Sequence, residues 1–351
     1  MSKSRSSSIA FALVTCALNR NFGVTGAAAY TPYGKSTVAL VLREDELWDD
    51  ESVKSRANHA PEGCYLAFDF VINLHSGKEM EGLDYNYSSS HKSTKLSHKF
   101  SNMTLVKPGH QPTPIQIKYA PSKNLSTEEY IYLSPVESLK ASVSNAIKLG
   151  VKFVGVIADG EFSSQEAIRF HKDKNLGFLG RIKSNRRVDF NGRKVDLGDL
   201  ARIFTYKHCH YDGKTGWRSK KLAVRLGEYD VFILIVYRKD KGVWKPFFLV
   251  STFPETHTLA ELLRVWKSRW GIEVVHRFIK QNLGFSKSQA ITILAQQNWA
   301  NAVLDAFIAI LVVRQKYGVE NWRAAQEISG QCYAECAVTG IPLDSWLERA
   351  V

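Results

Sequence analysis

One stretch, Val265–Lys280 (VWKSRWGIEVVHRFIK), narrows what this chain can be more than any other. Val265, Ile272, Val275, Phe278 and Ile279 recur at helical spacing, no proline intervenes and Gly271 is its single glycine. The pattern predicts one amphipathic helix. At roughly 100° per residue, Trp266, Arg269, Glu273, Arg277 and Lys280 fall within roughly 80° of one another, with the apolar set largely opposite. A single carboxylate flanked by cations and an indole suits a metal ion at the carboxylate and phosphates at the cations. An ordinary solvated helix face reads the same way, so the assignment depends on acidic partners elsewhere.

Two aspartates stand in the right setting. Tyr65–Ile72 is a short apolar run, read as a buried strand with Asp69 in its middle, and an unpaired carboxylate there is costly unless it meets a cation or donors. Val151–Ala158 is a second buried strand, and Asp159-Gly160 stands at its carboxyl end, where open α/β sheets collect their ligands. The bland alternatives are a hydrogen-bonded structural Asp69 and a helix-capping Asp159.

Around these, residues 1–60 are poorly patterned. Gly34-Lys35-Ser36 resembles the end of a phosphate-binding loop, but Ala29 stands where that motif needs glycine, which excludes a nucleoside triphosphatase of that type. A hairpin partner over 77–87, a polar loop over 88–101 and a strand near 103–106 are expected next. Helices are predicted over 135–149 and 163–172, and a strand over 176–182. From residue 183 the chain reads as a basic, glycine-punctuated β-rich insertion, followed by a strand pair (231–237 and 246–252), a helix over 291–317 and an unpatterned tail.

Composition supports a polyanionic partner. The 351-residue chain carries a net charge of +13, and between Arg181 and Arg225 there are 13 Lys and Arg against 4 acids. Lys183, Arg186, Arg187, Arg218, Lys220 and Lys221, interleaved with Tyr206, Tyr211 and Trp217, suit a surface that tracks a phosphate backbone. Five dispersed cysteines fit a reducing compartment, and no ligand spacing supports zinc at Cys209, Cys332 or Cys336. The run Ile9–Leu18 after Lys3 and Arg5 mimics a short leader, and 302–313 is too short to span a bilayer. A cytoplasmic protein without a membrane partner is expected.

Trp266-x2-Arg269-x3-Glu273-x6-Lys280 resembles the Y-R-E-K signature of DDE transposases from bacterial insertion sequences, with tryptophan in place of the usual tyrosine. Ala158-Asp-Gly-Glu-Phe162 is similar to that family's second-aspartate motif, and the order of elements over roughly 60–315 resembles its core. The resemblance implies an α/β fold: a ribonuclease H-like mixed-sheet core with a β-rich insertion and C-terminal helices. It implies a division into 1–60 (a short N-terminal region with possible DNA-end contacts), 61–182 and 231–318 (the core), 183–230 (the insertion) and 319–351 (a tail). Asp69, Asp159 and Glu273 become catalytic metal ligands for two Mg2+ ions, with Mn2+ as a substitute. Trp266, Arg269, Arg277 and Lys280 become DNA contacts, and Trp217 or Trp244 stacks a flipped base. The implied partners are inverted-repeat end DNA, target DNA and a second copy in the synaptic complex, and the implied route is cut-and-paste through a hairpin. The short N-terminal region, without an evident helix-turn-helix, departs from the family. Two other readings remain open: a degenerate copy that binds DNA without cleaving it, and a basic RNA-associated protein with structural aspartates.

Overall fold

The computed structural model describes residues 3–339 apart from 76, 78, 89 and 90. Four helices come first: α1 (Lys3–Leu18), α2 (Val24–Ala28), α3 (Lys35–Glu44) and α4 (Asp50–Ala57). They replace the unpatterned segment expected for 1–60. The leader-like run is the buried length of α1, with Ile9, Ala12, Cys16 and Ala17 fully enclosed. A short helix surrounded by protein has no polar stripe to betray it.

Strands β1 (Tyr65–Leu74), β2 (Asp84–Ser88), β3 (Ser93–Val106) and β4 (Thr113–Tyr119) follow. The expected loop over 88–101 is therefore largely strand, although residues 89 and 90 lie outside the described residues. The polar half of β3 pairs with β2 over Ser93–Ser97 and with β1 from Ser97 onward, so backbone pairing defines a strand that its polar side chains do not signal. The 77–87 segment contributes β2, whose partner is β3 and not β1. Helix α5 (Pro135–Lys148) begins with a Ser134–Glu137 capping box and Pro135 in its first turn. Next come β5 (Gly155–Ala158, half the predicted length), α6 (Gln165–Asp173) and β6 (Gly177–Ile182).

The basic region forms β7 (Arg187–Phe190), β8 (Arg193–Asp196), α7 (Leu197–Ile203), β9 (His210–Asp212) and β10 (Trp217–Leu226). Helix α7 lies within the segment expected to be β-rich. Then β11 (Tyr229–Asp240) and β12 (Val243–Ser251) lead to α8 (Leu259–Ser268), α9 (Trp270–Asn282), α10 (Ile293–Tyr317) and α11 (Trp322–Thr339). Helix α11 occupies most of the expected tail, and residues 340–351 lie outside the described residues.

Among the described residues all twelve strands join one sheet in the order β2-β3-β1-β5-β6-β12-β11-β10-β7-β8, with β4 also on β3 and β9 on β10. Strand β3 pairs antiparallel with both β1 and β4, while β5 and β6 extend the sheet parallel to β1. This is the ribonuclease H-like mixed sheet, with the later strands continuing it antiparallel from β6. One face packs on α5, α6 and α7, and the other on α8, α9 and a layer that includes α1, α3, α10 and α11.

The single helix predicted over 265–280 is two, α8 and α9, divided at Arg269. There Arg269 N bonds Trp266 O at 3.2 Å and Ile272 N bonds Arg269 O at 3.0 Å, a tighter i→i−3 turn. Gly271 explains the close docking just after the break: a Cβ there would lie 3.0 Å from both Pro112 Cβ and Val106 Cγ1.

Asp305, which interrupts the apolar run of α10, has a buried partner. Its carboxylate accepts from Arg56 Nε and Trp48 Nε1, each at 2.5 Å, and Arg56 also donates to Asn301 Oδ1 at 2.9 Å. Among the described residues no helix is long and apolar enough to cross a membrane. Removing one partner of this pair strands a buried charge, so Asp305→Ala should lower the urea-unfolding free energy by about 3–5 kcal/mol. The apolar pair Arg56→Met/Asp305→Leu should recover most of that loss.

Candidate active site

Alternation along β1 decides where Asp69 points. Leu66 and Phe68 enter the core shared with α5 and α6, whereas Ala67, Asp69 and Val71 face the opposite side, toward α8 and α9. The parallel register sets Phe68 beside Ala158, so the next residue along β5, Asp159, stands beside Asp69 on the same face. Asp159 Oδ1 accepts from Gly160 N at 2.8 Å and caps the short turn Gly160–Phe162. Asp69 Oδ1 accepts from Phe70 N at 2.8 Å.

Helix α9 lies over β1 and β3, its Val275 and Ile279 sharing a core with Val71 and Phe100. That docking brings Glu273 and His276, three residues apart on one helical face, to Asp69. One ligand atom from each of the three lies within 4.8 Å of the other two. Arg269 Nη1 is 3.7 Å from Asp69 Oδ2 and 3.7 Å from Glu273 Oε1, close enough for ion pairing but too long for hydrogen bonds, and it has no hydrogen-bond partner. Its guanidinium lies 5.3 Å from the centre of the Trp266 ring.

The electrostatics are those of a site short of positive charge. Burial, then the neighbouring Glu273, push Asp69 up to about 7, against the opposing pull of Arg269. Burial, reinforced by Lys280 and Arg269, pushes His276 down to about 3, leaving a neutral imidazole whose buried Nε2 has no partner. Lys280 is lowered by burial and raised by Glu273. Two carboxylates and a neutral imidazole with an unpartnered ring nitrogen fit a divalent cation.

The structure gathers Asp69, Asp159, Glu273, Arg269, Trp266 and Lys280, but not the remaining predicted contacts. Arg277 is turned outward, 5.9 Å from the Trp270 ring. Alternation along β10 sends Arg218 and Lys220 to the sheet face opposite Asp69, where Arg218 packs near Tyr211 and Trp244 and Lys220 lies 4.7 Å from the Phe204 ring. Trp217 and Lys221 share the Asp69 face. Lys221 is tied to the carbonyls of Glu255 and His257, and Trp217 packs against Phe247 under Lys267. Trp244 is stacked on Tyr206. Lys183, Arg186 and Arg187 are exposed beyond β6, with Arg187 paired to Asp196 at 3.4 Å.

Two residues escaped the sequence reading. His276 was signalled by its i,i+3 spacing from Glu273. Arg181 is exposed on β6 with its backbone beside Gly160, and alternation from Leu179 sets it on the Asp159 face.

The raised Asp69 value has a consequence for the metal-free protein. Its protonated form is favoured by folding, so the contribution is complete below the unfolded value near 3.8 and lost as pH rises through about 7. Unfolding free energy in chelator should therefore fall between pH 4 and pH 8, with Asp69 contributing up to about 4 kcal/mol. Asp69→Asn should flatten that slope, and Mg2+ or Mn2+ should restore stability to the wild type at pH 8. An equally steep profile in Asp69→Asn would refute the assignment.

Comparison with known proteins agrees with this geometry. No curated protein matches the chain. Residues 89–310, well over half of it, match the family described as Transposase DDE domain. The matched span contains Asp159 and Glu273, and the sheet supplies Asp69 from just before it. The chain belongs to the DDE-domain transposase family.

Proposed function

We propose that this protein cleaves DNA at the ends of its own mobile element and transfers the freed strand, using Asp69, Asp159 and Glu273 as metal ligands. The observation that carries the reading is the convergence of Asp69 and Glu273 within one 4.8 Å ligand group, with Asp159 on the adjoining strand. Asp69 with Glu273, and His276 beside them, would hold one divalent cation, and Asp69 with Asp159 a second. Mg2+ is the expected ion, with Mn2+ as its substitute. Such ions, when bound, supply activation of the attacking oxygen and stabilisation of the leaving 3′ oxygen.

The protein's own groups prepare the rest. Arg269, held between two carboxylates with Nη1 unpartnered, is placed to donate to a phosphate flanking the scissile bond. Lys280 and Arg181 extend that positive lining on either side. In the first step water oxygen bonds to phosphorus as the P–O3′ bond breaks, giving a 5′ phosphate and a free 3′ hydroxyl. In the second, that hydroxyl attacks the opposite strand and displaces its 3′ oxygen, closing a hairpin on the element's end. Of the two tryptophans suggested for base stacking, Trp217 on the catalytic face is the better placed. The DNA partners are the element's inverted repeats and a target duplex in the cytoplasm, with a second copy pairing the two ends.

The test is cleavage of a duplex carrying the element's own ends, read on denaturing gels with Mg2+ or chelator. Wild type should give nicked and hairpin products only with metal. Glu273→Gln should lose at least about 10³-fold in rate while still binding the duplex. Binding without cleavage by the wild type would identify a degenerate copy, and cleavage indifferent to chelation would sink the metal assignment.

A further inference from the structure

Helix α9 turns Ile272, Val275, His276 and Ile279 inward, and His276, 7% exposed, is the polar member of that set. Its Nε2 is buried without a hydrogen-bond partner. An apolar side chain would fill the same place without that cost, so the imidazole calls for a reason. Packing supplies one for the other buried histidine with an orphaned Nε2. His171 donates from Nδ1 to Ala167 O at 2.7 Å, and its ring lies 4.6 Å from that of Phe178. His276 has neither kind of contact among the described residues.

Its neighbours are carboxylates instead. One ligand atom from each of Asp69, Glu273 and His276 lies within 4.8 Å of the other two, and among the described residues no other three His, Cys, Asp or Glu side chains form such a group. Glu273 and His276 stand at i and i+3, the helical spacing that presents a carboxylate and an imidazole to one cation. The carboxylates are also available. Of their four oxygens Asp69 Oδ1 alone accepts a hydrogen bond, from Phe70 N at 2.8 Å, and Arg269 stays 3.7 Å from both groups. The Glu273 side chain, 35% exposed, leaves the group open to an entering ion.

The two cation positions around Asp69 are therefore chemically unequal. Asp69 with Asp159, on the adjoining strand, offers oxygen only. Asp69 with Glu273 and His276 offers oxygen and nitrogen, from three side chains already gathered without help from a phosphate. Mg2+ favours an octahedron of oxygens and holds its waters, whereas imidazole suits the first-row transition cations. We propose that Asp69, Glu273 and His276 bind a transition cation of the Co2+ and Zn2+ type in preference to Mg2+, and do so before DNA arrives. The oxygen-only position beside Asp159 is then left to Mg2+. This rests on the metal-ligand assignment in the transposase reading and deepens it: His276 sets which ion takes the first position.

The test is metal binding without DNA, with Co2+ and Mg2+ titrated separately by calorimetry. Wild type should take up Co2+ more tightly than Mg2+, and bound Co2+ should give a hyperfine-shifted imidazole N–H resonance in the proton NMR spectrum. His276→Asn replaces the ring nitrogen by an amide oxygen. It should weaken Co2+ at least about 10-fold, a loss that even more distant partners cause at metal sites, while Mg2+ uptake stays close to wild type. It should also abolish the resonance. The chain has 10 histidines, so the same resonance should weaken in Glu273→Gln, which keeps the assignment testable where His276→Asn folds poorly. A resonance that survives both substitutions places Co2+ at another histidine and overturns the proposal, as does wild-type Co2+ binding no tighter than Mg2+ binding. Either result beside Mg2+-dependent end cleavage leaves the transposase reading standing. Tight Co2+ uptake lost in His276→Asn, beside no cleavage of end duplexes with any ion, keeps the cation site and overturns that reading.

Discussion

The structure turns on bringing the half-buried Glu273 against the more deeply set Asp69. Like charges in a dry setting repel, and desolvation adds to the cost, which is why Asp69 is pushed up to about 7. Arg269, set 3.7 Å from both, offsets part of that cost without forming a hydrogen bond to either. It stands at the tightened turn between α8 and α9, next to the close approach that Gly271 permits. The break lets α8 cover the middle of the sheet while α9 follows β1 and β3.

The rest of the helical layer fixes α9 in that place. Trp299 Nε1 of α10 donates to Gly284 O just after α9, and Gln326 Nε2 of α11 donates to both Asn282 O and Leu18 O. Gly284 adopts φ 68° with the Phe22 ring against it, so a side chain there would be strained and also clash. The N-terminal helices and α11 thus form part of the body that holds Glu273. Their stability is coupled to the site through the Arg56–Asp305 pair, which joins α4 to α10.

Positive charge is distributed less simply than its count along the chain suggests. The dense stretch between Arg181 and Arg225 passes through several strands, and strand alternation divides its cations between two faces. Some of them, such as Arg218 and Lys221, are engaged with backbone carbonyls. Meanwhile Lys107, Arg264 and Lys267 come together because the connection after β3 meets α8 at one corner.

The sequence by itself determined the parts whose signals are local. Asp69 interrupts an apolar strand, Asp159 follows another, and Glu273 shares a helical face with Arg269 and Lys280, so period and burial cost marked those positions as candidates, and the resemblance to DDE transposases joined them into one site. The mixed sheet and its insertion were likewise implied by that resemblance, carried by the order of strands and helices. What only the tertiary structure decided is relational. His276 becomes part of the site because α9 docks on β1, and the same docking leaves Arg277 on the exposed side of α9. The run Ile9–Leu18 shows no polar stripe because α1 is buried over most of that length, and the polar half of β3 is strand because β2 pairs with it over Ser93–Ser97 and β1 from Ser97 onward. Periodicity reports a residue's exposure on its own element, whereas a site and a shared core depend on distances between elements, which no local pattern encodes.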